Sequence, residues 1–540
     1  GTDYSGEIQE LKDQLASLKS AVSGMKDYSG DIAELKKLAK EFEKELAGLG
    51  VNVEDMKKTL ADHEARLKAL ESYKPALDIH GQADLLVLAG HSSDGNIGIL
   101  HSGETIGQDR NTGFATGMTR NFSVLHQLEL NFKSTNEGPK VAGTLVIGNV
   151  LSTLGSYGAY TPGSQLAVEG ASDIYLQDLS VNYDASLVGQ GFSAQVGRVH
   201  TKVGHYLFQR SEYTSEYFTN AARESGDYYF DGGILNFKFG KAGLKVFGGR
   251  DSARNSTNGT DLNPIGLGNG TVDQNLGVQL MFPIGEMGSV NLAYLWLDSN
   301  TRTNFGGTTG IVNRMNVYGG EIKLKFDKIK LYGAYSKSQL NENNSSRLDS
   351  DNAAWHAQAT YDAGKFQLGA GFRRVEKNFL APGEWGQFGT WQSPVNFEGF
   401  NVSASFAASS NVTIWGMGEF VKGVSNTAGF GNNVLTAGSD DKIDDYAVGA
   451  DFKLNNMFDV NLKYEDTKFK FGAGTQPKQR WYTVGVGYNL GATSKLSFKY
   501  MFSDVDNAGR AGTTFNPGGL GGANSVFKGG LLATQLTVKF

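Results

Sequence analysis

The hydrophobic pattern of the chain changes at Lys74-Pro75. Before this point, apolar residues recur at spacings of three and four, as in a helix with one narrow apolar stripe. After it, many segments place an apolar residue at every second position, as in strands with one apolar and one polar face. The sequence therefore predicts two domains, a helical one over residues 1–74 and a strand-rich one over residues 75–540.

The apolar stripe of the first domain reads as the a/d seam of a coiled coil, with Lys and Glu on the other faces. The predicted core positions are Ile8, Leu11, Leu15, Leu18, Phe42, Leu46, Leu49, Met56, Leu60, His63, Leu67 and Leu70. A single helix cannot bury so narrow a seam, so we expect self-association into a trimer. The alternative is one helix lying along the second domain.

Two details of the helical region leave its continuity open. The segment Asp3–Ile8 returns as Asp27–Ile32, 24 residues later. That period of three heptads plus three either inserts a stammer or marks a break, with Ser29 capping a new helix and Gly30 interrupting the old one. His63, at a core position, reads as a tolerated or register-setting polar layer rather than an anion or pH sensor.

The strand-rich domain alternates most clearly near its end, where Tyr482, Val484, Val486 and Tyr488 are separated by Thr, Gly and Gly. Its connections alternate between short turns, such as 327–328 and 491–494, and long polar loops, such as 201–226 and 377–395. About twenty strands fit between residue 76 and residue 540. Loop sorting and an even strand number are typical of an outer-membrane antiparallel β-barrel, whereas a soluble sandwich has no reason to sort its loops.

Composition narrows the function classes. The 540 residues include 72 Gly, 9 Pro and no Cys, so disulfides and Cys-ligated metals are excluded. The net charge of −6 and the absence of a basic stripe argue against nucleic acid binding. No run of about 18 apolar residues exists, so no transmembrane helix is predicted. The terminal Phe540, preceded by alternating apolar residues, is expected to serve as a signal for the barrel-assembly machinery.

The stretch Leu38–Leu46, followed by Leu49-Gly50-Val51 and a heptad run to Leu70-Glu71, resembles the linker of the S-layer-homology porins. The resemblance covers roughly residues 35 to 80 and is one of architecture elsewhere. It implies a trimeric coiled coil in the periplasm, a large barrel in the bacterial outer membrane with its lipid and lipopolysaccharide, and a separate domain that grips a cell-wall polymer. The sequence shows no S-layer-homology domain.

Parity with the apolar face assigns the alternate residues of each strand to the barrel interior. The principal candidates facing the lumen are Glu129, Glu321, Lys323, Arg373, Lys463, Glu465, Lys495 and Lys499. Mixed charges of this kind suit passive diffusion of hydrated solutes, with wall charges tuning selectivity.

A barrel of about twenty strands is too wide for its side chains to fill, so a folded-in loop is expected to narrow it. The first candidate is the loop 201–226, which is rich in aromatic residues and in charges of both signs. Its predicted constriction residues are Lys202, Arg210, Glu212, Glu216, Arg223 and Glu224. The loops 91–120 and 377–395 are the other candidates, and a plain external loop is the rival interpretation.

No catalytic arrangement or cofactor site is predicted. The acidic loop 438–445 offers oxygen ligands for Ca²⁺ but lacks the EF-hand spacing, so a solvated loop is favoured. The eight His residues show no metal-binding spacing, and no Ser-His-Asp set can be argued, so we expect no enzyme.

Three functions remain in competition. The first is a general diffusion porin whose stalk links the outer membrane to the periplasm. The second is a structural envelope tether or surface-layer protein with a plugged barrel, and the third is a substrate-specific channel.

Overall fold

The computed structural model describes residues 5–22, 30, 33–38, 40, 53–72, 77–92, 97–99, 105–107, 122–135, 138–149, 173–187, 189–209, 226–251, 274–298, 312–342, 347–348, 350–389, 391–427, 435, 440–472, 476–506 and 526–540. The chain divides into two compact units, Gly1–Pro75 and Ala76–Phe540.

The first unit is helical. Helix α1 spans Ser5–Val22 and helix α2 spans Val53–Ser72, and residues 33–38 between them are also helical. Of the predicted core positions, Leu15, Leu60 and His63 have described side chains, and all three are exposed in the single chain. The side chains of the other nine lie outside the described residues. Neither described helix is long and apolar enough to cross a membrane.

An ion pair within this unit bears on the continuity of the helical region, which the sequence left open. Lys36 Nζ lies 3.6 Å from Glu64 Oε1, although the two residues are 28 positions apart. An unbroken helix would separate them by about 42 Å, at about 1.5 Å per residue. Residues 36 and 64 therefore do not belong to one continuous helix, and the helical segment 33–38 contacts α2 at this point.

The described part of the second unit contains 25 strands, numbered in chain order. They are β1 Leu77–Ser92, β2 Ile97–Ile99, β3 Thr105–Gly107, β4 Phe122–Ser134, β5 Lys140–Gly148, β6 Asp173–Leu187, β7 Gln190–Thr201, β8 Tyr228–Phe239, β9 Ala242–Asp251, β10 Gln274–Ile284, β11 Gly288–Asp298, β12 Val312–Phe326, β13 Ile329–Glu342, β14 Arg347–Leu348, β15 Ala353–Asp362, β16 Phe366–Val375, β17 Gln387–Phe388, β18 Trp391–Gln392, β19 Phe397–Ser409, β20 Val412–Gly423, β21 Lys442–Lys453, β22 Phe458–Lys470, β23 Lys478–Asn489, β24 Ser494–Asp506 and β25 Val526–Lys539.

Twenty of these strands form a closed antiparallel barrel, which confirms the predicted barrel and its strand number. The large sheet has 21 strands, of which the two-residue β14 attaches to β13 alone. The ring closes because β1 pairs with β25 on one side and with β4 on the other. The pairs β2–β3 and β17–β18 form two small separate sheets.

The connections sort onto two edges of the barrel. Short connections such as Phe326 to Ile329 and Phe239 to Ala242 lie at one edge, which we call the turn edge. Long connections such as Thr201 to Tyr228 and Val375 to Phe397 lie at the other, which we call the loop edge. Leu77, where β1 begins, pairs with Ser134 at the turn edge.

The two faces of the barrel wall are inverted relative to a soluble protein. On the outward face, large apolar side chains are exposed, including Leu85 at 43%, Val484 at 45% and Leu532 at 43%. On the inward face, polar side chains are covered: Asp84 of β1 accepts hydrogen bonds from Gln535 Nε2 at 3.0 Å and Thr537 Oγ1 at 2.6 Å. A continuous apolar outer face on an aqueous protein would be a large exposed patch, so this wall is suited to a lipid surround.

Candidate functional site: two loops inside the barrel

The largest cluster of buried apolar side chains lies inside the barrel, where two loops pack on the inward face. We call residues 202–209, which follow β7, the first inner loop, and residues 376–396, between β16 and β19, the second inner loop. Both belong to the long connections of the loop edge. Wall residues such as Leu295, Val317 and Ile443 and loop residues such as Phe208 and Phe379 share this cluster.

The first inner loop crosses the interior from β7 towards β12. Its backbone forms a tight turn, in which Val203 N donates to Phe208 O at 2.7 Å. Asn291 of β11 donates its amide to Val203 O at 3.0 Å. Gly204 comes so close to β12 that a Cβ there would lie 2.6 Å from Glu321 Oε1. A side chain at position 204 would therefore require the Glu321 carboxylate or the loop to move.

The second inner loop is fastened to the wall along its length. Leu380 N donates to Ser338 Oγ of β13 at 3.0 Å, and Asn378 N donates to Asp351 O at 2.7 Å. Trp385 Nε1 closes the loop on itself by donating to Pro394 O at 2.7 Å. At the far end, Asn396 binds Leu435 O through its amide at 2.7 Å. Its buried polar groups thus have partners, as a loop inside a barrel requires.

The two inner loops meet in the interior. Tyr206 stacks on Trp385 with ring centroids 5.9 Å apart and planes inclined by 15°. Gln209 N donates to Pro382 O at 2.9 Å, and His205 Nδ1 lies 3.1 Å from Glu384 O. Burial raises the pKa of the Tyr206 phenol, so its hydroxyl stays protonated at neutral pH. The loops therefore act as one packed body.

Arg373 of β16 joins this body to the barrel wall. Its guanidinium forms a two-pronged pair with Glu419 of β20, through Nε to Oε1 and through Nη2 to Oε2 at 2.7 Å. Its Nη1 donates to the carbonyl of Trp385. The guanidinium carbon also lies 5.0 Å from the centroid of the Phe397 ring. The Arg373 side chain is 8% exposed and that of Glu419 15%, so each charge depends on the other.

The tip of the second inner loop contacts the wall at β22 and β23. Gly389 has a φ of +55°, a left-handed conformation that favours glycine. A Cβ at this position would overlap Gln479 Oε1 of β23 and come within 3.1 Å of Thr467 Oγ1 of β22. The second inner loop therefore covers the inward face of the wall from β16 to β23, which are five strands apart in the ring.

A cavity of about 890 Å³ lies beside the joined loops. Charged residues of both signs line it, together with aromatic and amide side chains. The charged residues are Lys323, Arg373, Lys463, Glu384, Glu419, Asp445 and Glu465. Lys463 Nζ lies 2.6 Å from Glu465 Oε1, so part of this charge is internally paired. A wet, mixed-charge space of this size is suited to a hydrated ion or small polar solute.

The cross-strand register places all eight candidates for the lumen on one continuous face of the wall. Lys323, Arg373, Lys463 and Glu465 line the cavity, and Glu321 lies 3.8 Å from Lys323 Nζ. Glu465 of β22 opposes Trp481 of β23, which opposes Ser503 of β24, which opposes Gly529 of β25. The pairing of β25 with β1 and of β1 with β4 continues the same face to Glu129. Lys495 donates to Asp459 at 3.2 Å, Lys499 stands four residues further along the same face, and Glu129 accepts from Asn131 at 2.9 Å.

Of the six predicted constriction residues, Lys202 is exposed at the start of the first inner loop. The other five lie outside the described residues: Arg210, Glu212, Glu216, Arg223 and Glu224. The described part of this loop contributes aromatic rings to the interior, with Phe208 4.3 Å from the Tyr228 ring. In the second inner loop, a lesser candidate in the sequence, most of the described residues are buried.

Three functional features escaped the sequence. The pairing of Arg373 with Glu419 links residues 46 positions apart, and parity shows only that each points inward. The anchor at Ser338 looks like any polar residue of an alternating strand. Gly389 lies in a loop that already contains Gly383 and Gly386, so only its positive φ and its contact with Gln479 distinguish it.

The acidic loop around Asp441 has its carboxylates engaged by the protein. Asp441 accepts from Gly472 N at 3.1 Å, and Asp440 pairs with Lys442 at 2.8 Å. Over the part of the chain that the structure describes, no group of three or more His, Asp or Glu residues is arranged to hold a metal ion.

Known barrels share the general architecture. The chain is similar to OccK5 (OpdH) of Pseudomonas aeruginosa, with 10% identity over 86% of this chain and 98% of that chain and a TM-score of 0.43. It is also similar to the outer membrane channel DcaP of Acinetobacter baumannii, with 12% identity, coverages of 87% and 99% and a TM-score of 0.34. No family model matches the chain, and no curated protein matches it. At these scores the likenesses add nothing to what the strand register establishes.

Proposed function

We propose that this chain is a porin-type channel of the bacterial outer membrane, through which ions and small hydrophilic solutes diffuse passively. The observation that carries the proposal is a closed ring of 20 strands with an apolar outward face and a polar inward face. Water and solutes have a polar wall to follow inside, while lipid contacts the outside.

The size of the ring supports a channel rather than a solid core. Strands about 4.8 Å apart, tilted by about 40°, give a 20-strand barrel a backbone diameter of roughly 40 Å. Side chains alone cannot fill such a space. The two inner loops occupy part of it, so we propose that they, and the second one above all, set the width and selectivity of the channel.

Planar-bilayer recording tests the proposal. We expect stepwise ion conductance from the purified protein. A variant in which a short Gly-Ser linker replaces residues 384–392 should give larger steps, and the linker can close the gap because Ser393 Oγ lies 3.4 Å from Gly383 O. Bilayers that stay silent with both proteins would contradict a channel and favour the plugged envelope tether. Saturable block of the current by one solute class would instead indicate a substrate-specific channel.

The helical unit is proposed to form a trimeric stalk in the periplasm, with a cell-wall polymer bound through a separate domain. The exposed Leu15 and Leu60 support self-association, because a single chain leaves them in water. Phe540, whose backbone pairs with Gly81, is proposed as the signal for the barrel-assembly machinery. Chemical cross-linking that gives trimers, and conductance steps in groups of three, would support the stalk; a monomer by both measures would contradict it.

A further inference from the structure

The outward face of β21–β25 is layered from apolar to charged towards the loop edge. Directly opposed residues form rows across these strands. The middle rows are apolar, as in Leu462, Val484, Tyr500 and Leu532. The next row contains Tyr464, Tyr482 and Phe502, and the row after it contains Asp466, Arg480, Asp504 and Lys528. Aromatic rings at the border of an apolar band mark the membrane interface, so the charged rows lie at headgroup level.

The charged rows form one interlinked surface, which we call the rim cluster. It comprises six basic residues, Lys442, Lys468, Lys470, Lys478, Arg480 and Lys528, and five acidic residues, Asp440, Asp444, Asp466, Asp504 and Asp506. Members of the cluster also oppose one another across neighbouring strands. Asp444 of β21 opposes Lys468 of β22, and Lys478 of β23 opposes Asp506 of β24.

Asp466 organises the rim cluster. It is 1% exposed, and it accepts hydrogen bonds from Tyr446 Oη at 2.6 Å and Tyr464 Oη at 3.1 Å. Lys468 lies 3.3 Å and Arg480 3.4 Å from the same carboxylate. This buried anion fixes two cations at the edge of the apolar band before any ligand arrives, which lowers the entropic cost of binding one.

The remaining lysines extend into the surroundings. Lys528 is bound to Asp504 at 3.6 Å, yet its side chain is 61% exposed, and those of Lys442 and Lys470 are nearly half exposed. An ammonium group carries three hydrogens, more than a single contact with one carboxylate oxygen uses. Phosphate groups are matching acceptors, and the neighbouring carboxylates can share a divalent cation with them.

The rim cluster contains more cations than the neighbouring sector of the loop edge. On the far side of the closure seam, the loop-edge halves of β1, β4 and β5 (residues 85–92, 122–128 and 144–149) contain no Lys or Arg. Their outward polar residues include His91 and His126. Other loop-edge cations, such as Arg198, Arg314 and Arg374, each pair with a carboxylate of a neighbouring strand. The rim cluster differs from them in the number of cations that it gathers.

We propose that the rim cluster binds the phosphorylated headgroup of an anionic glycolipid of the outer leaflet, a lipopolysaccharide. The proposal rests on the proposed outer-membrane location. The basic residues bind the phosphates directly, and the acidic residues bind them through bridging divalent cations. One lipid class is thereby held at a fixed sector of the barrel.

The test compares lipid retention by two charge-matched variants. The rim variant is K442Q/K470Q/K528Q, and the control is K241Q/K328Q/K453Q, which removes three exposed lysines at the turn edge. Each full-length protein is placed in nanodiscs of phosphatidylcholine with a small share of lipid A, and the lipid A that stays bound after detergent washing is measured. We expect the rim variant to retain at least about tenfold less than the wild type. Each basic residue near an anionic surface adds roughly a fivefold preference, so three independent lysines would add roughly a hundredfold.

The control variant should retain lipid A as the wild type does, and EDTA should lower retention in part by removing bridging cations. Equal retention by the rim and control variants would overturn the proposal, and so would release of the lipid by excess inorganic phosphate, which would show a site for free anions. If the triple variant does not fold, the single variants K470Q and K528Q are compared in the same way. Conductance in bilayers free of lipid A separates the two proposals, because the rim variant should conduct normally there.

Discussion

The ion pair inside the barrel and the rim cluster outside it use the same groups in different surroundings. Arg373 is covered by two aromatic rings, matched to Glu419, and its third contact is the Trp385 carbonyl of the second inner loop. Arg480 and Lys468 share the buried Asp466, but their side chains are 26% and 39% exposed. A buried cation serves to position a loop, whereas a partly exposed cation can also bind a ligand outside the protein.

The largest effect is expected from Arg373→Met. Removing the guanidinium leaves Glu419 buried without a partner, which costs about 3–5 kcal/mol. The second inner loop also loses its tie at Trp385. We expect a lower unfolding midpoint in urea and faster tryptic cleavage after Lys377.

The double variant R373M/E419Q is the control for this prediction. It removes both charges, so most of the lost stability should return. If the double variant is as unstable as R373M, the pair matters through its shape and packing rather than through the uncompensated charge.

A smaller effect is expected from Gly389→Ala. The new Cβ would overlap Gln479 Oε1 and alanine would have to adopt a φ of +55°, so either the Gln479 amide or the loop tip must move. A strained position of this kind costs about 1–3 kcal/mol. The matched control is Gly364→Ala in a turn, where φ is +79° but nothing lies within 4 Å of the new Cβ. Equal urea midpoints for the two variants would exclude a tight contact at the loop tip.

Asp466→Asn is expected to destabilise the barrel by about 1 kcal/mol, because the cations that it gathers remain partly in water. High salt screens exposed charges more than buried ones. The difference in urea midpoint between D466N and the wild type should therefore shrink as NaCl rises, while that of R373M persists. The same salt response in both variants would remove the distinction between the two ion-pair sites.

The smallest energetic effect is expected at Lys36 and Glu64, a pair exposed on both sides and worth well under about 1 kcal/mol. The geometry of this pair can still be tested sharply. The chain has no Cys, so the double variant Lys36→Cys, Glu64→Cys carries the only two thiols. Mild oxidation should join them within one chain, seen as faster migration of a monomer on a denaturing gel. Cross-links between chains alone would favour a continuous parallel coiled coil.

The barrel could be predicted from the sequence because its determinants are local. Alternation fixes which way Glu465 or Lys495 points, and the length of each connection fixes the edge on which it lies. The inner site could not be predicted in the same way. Arg373 and Glu419 lie on β16 and β20 with β19 between them, so their contact depends on the register of three strands. No local pattern separates a loop that folds inward from one that stays outside. The contact between Lys36 and Glu64 was missed for a related reason, because the spacing of apolar residues does not show where a helical region is interrupted.

Closure of the ring has a consequence for how the molecule forms. Gly81 and Phe540 exchange two backbone hydrogen bonds, although 459 positions separate them, whereas the other strands of the ring pair with neighbours along the chain. Until β25 arrives, β1 and the growing end of the sheet both present unpaired N–H and C=O groups, which attract other strands. Formation of the β1–β25 seam is therefore the folding step most exposed to aggregation. A folding catalyst that shields those two edges would shorten the time for which they stay unpaired.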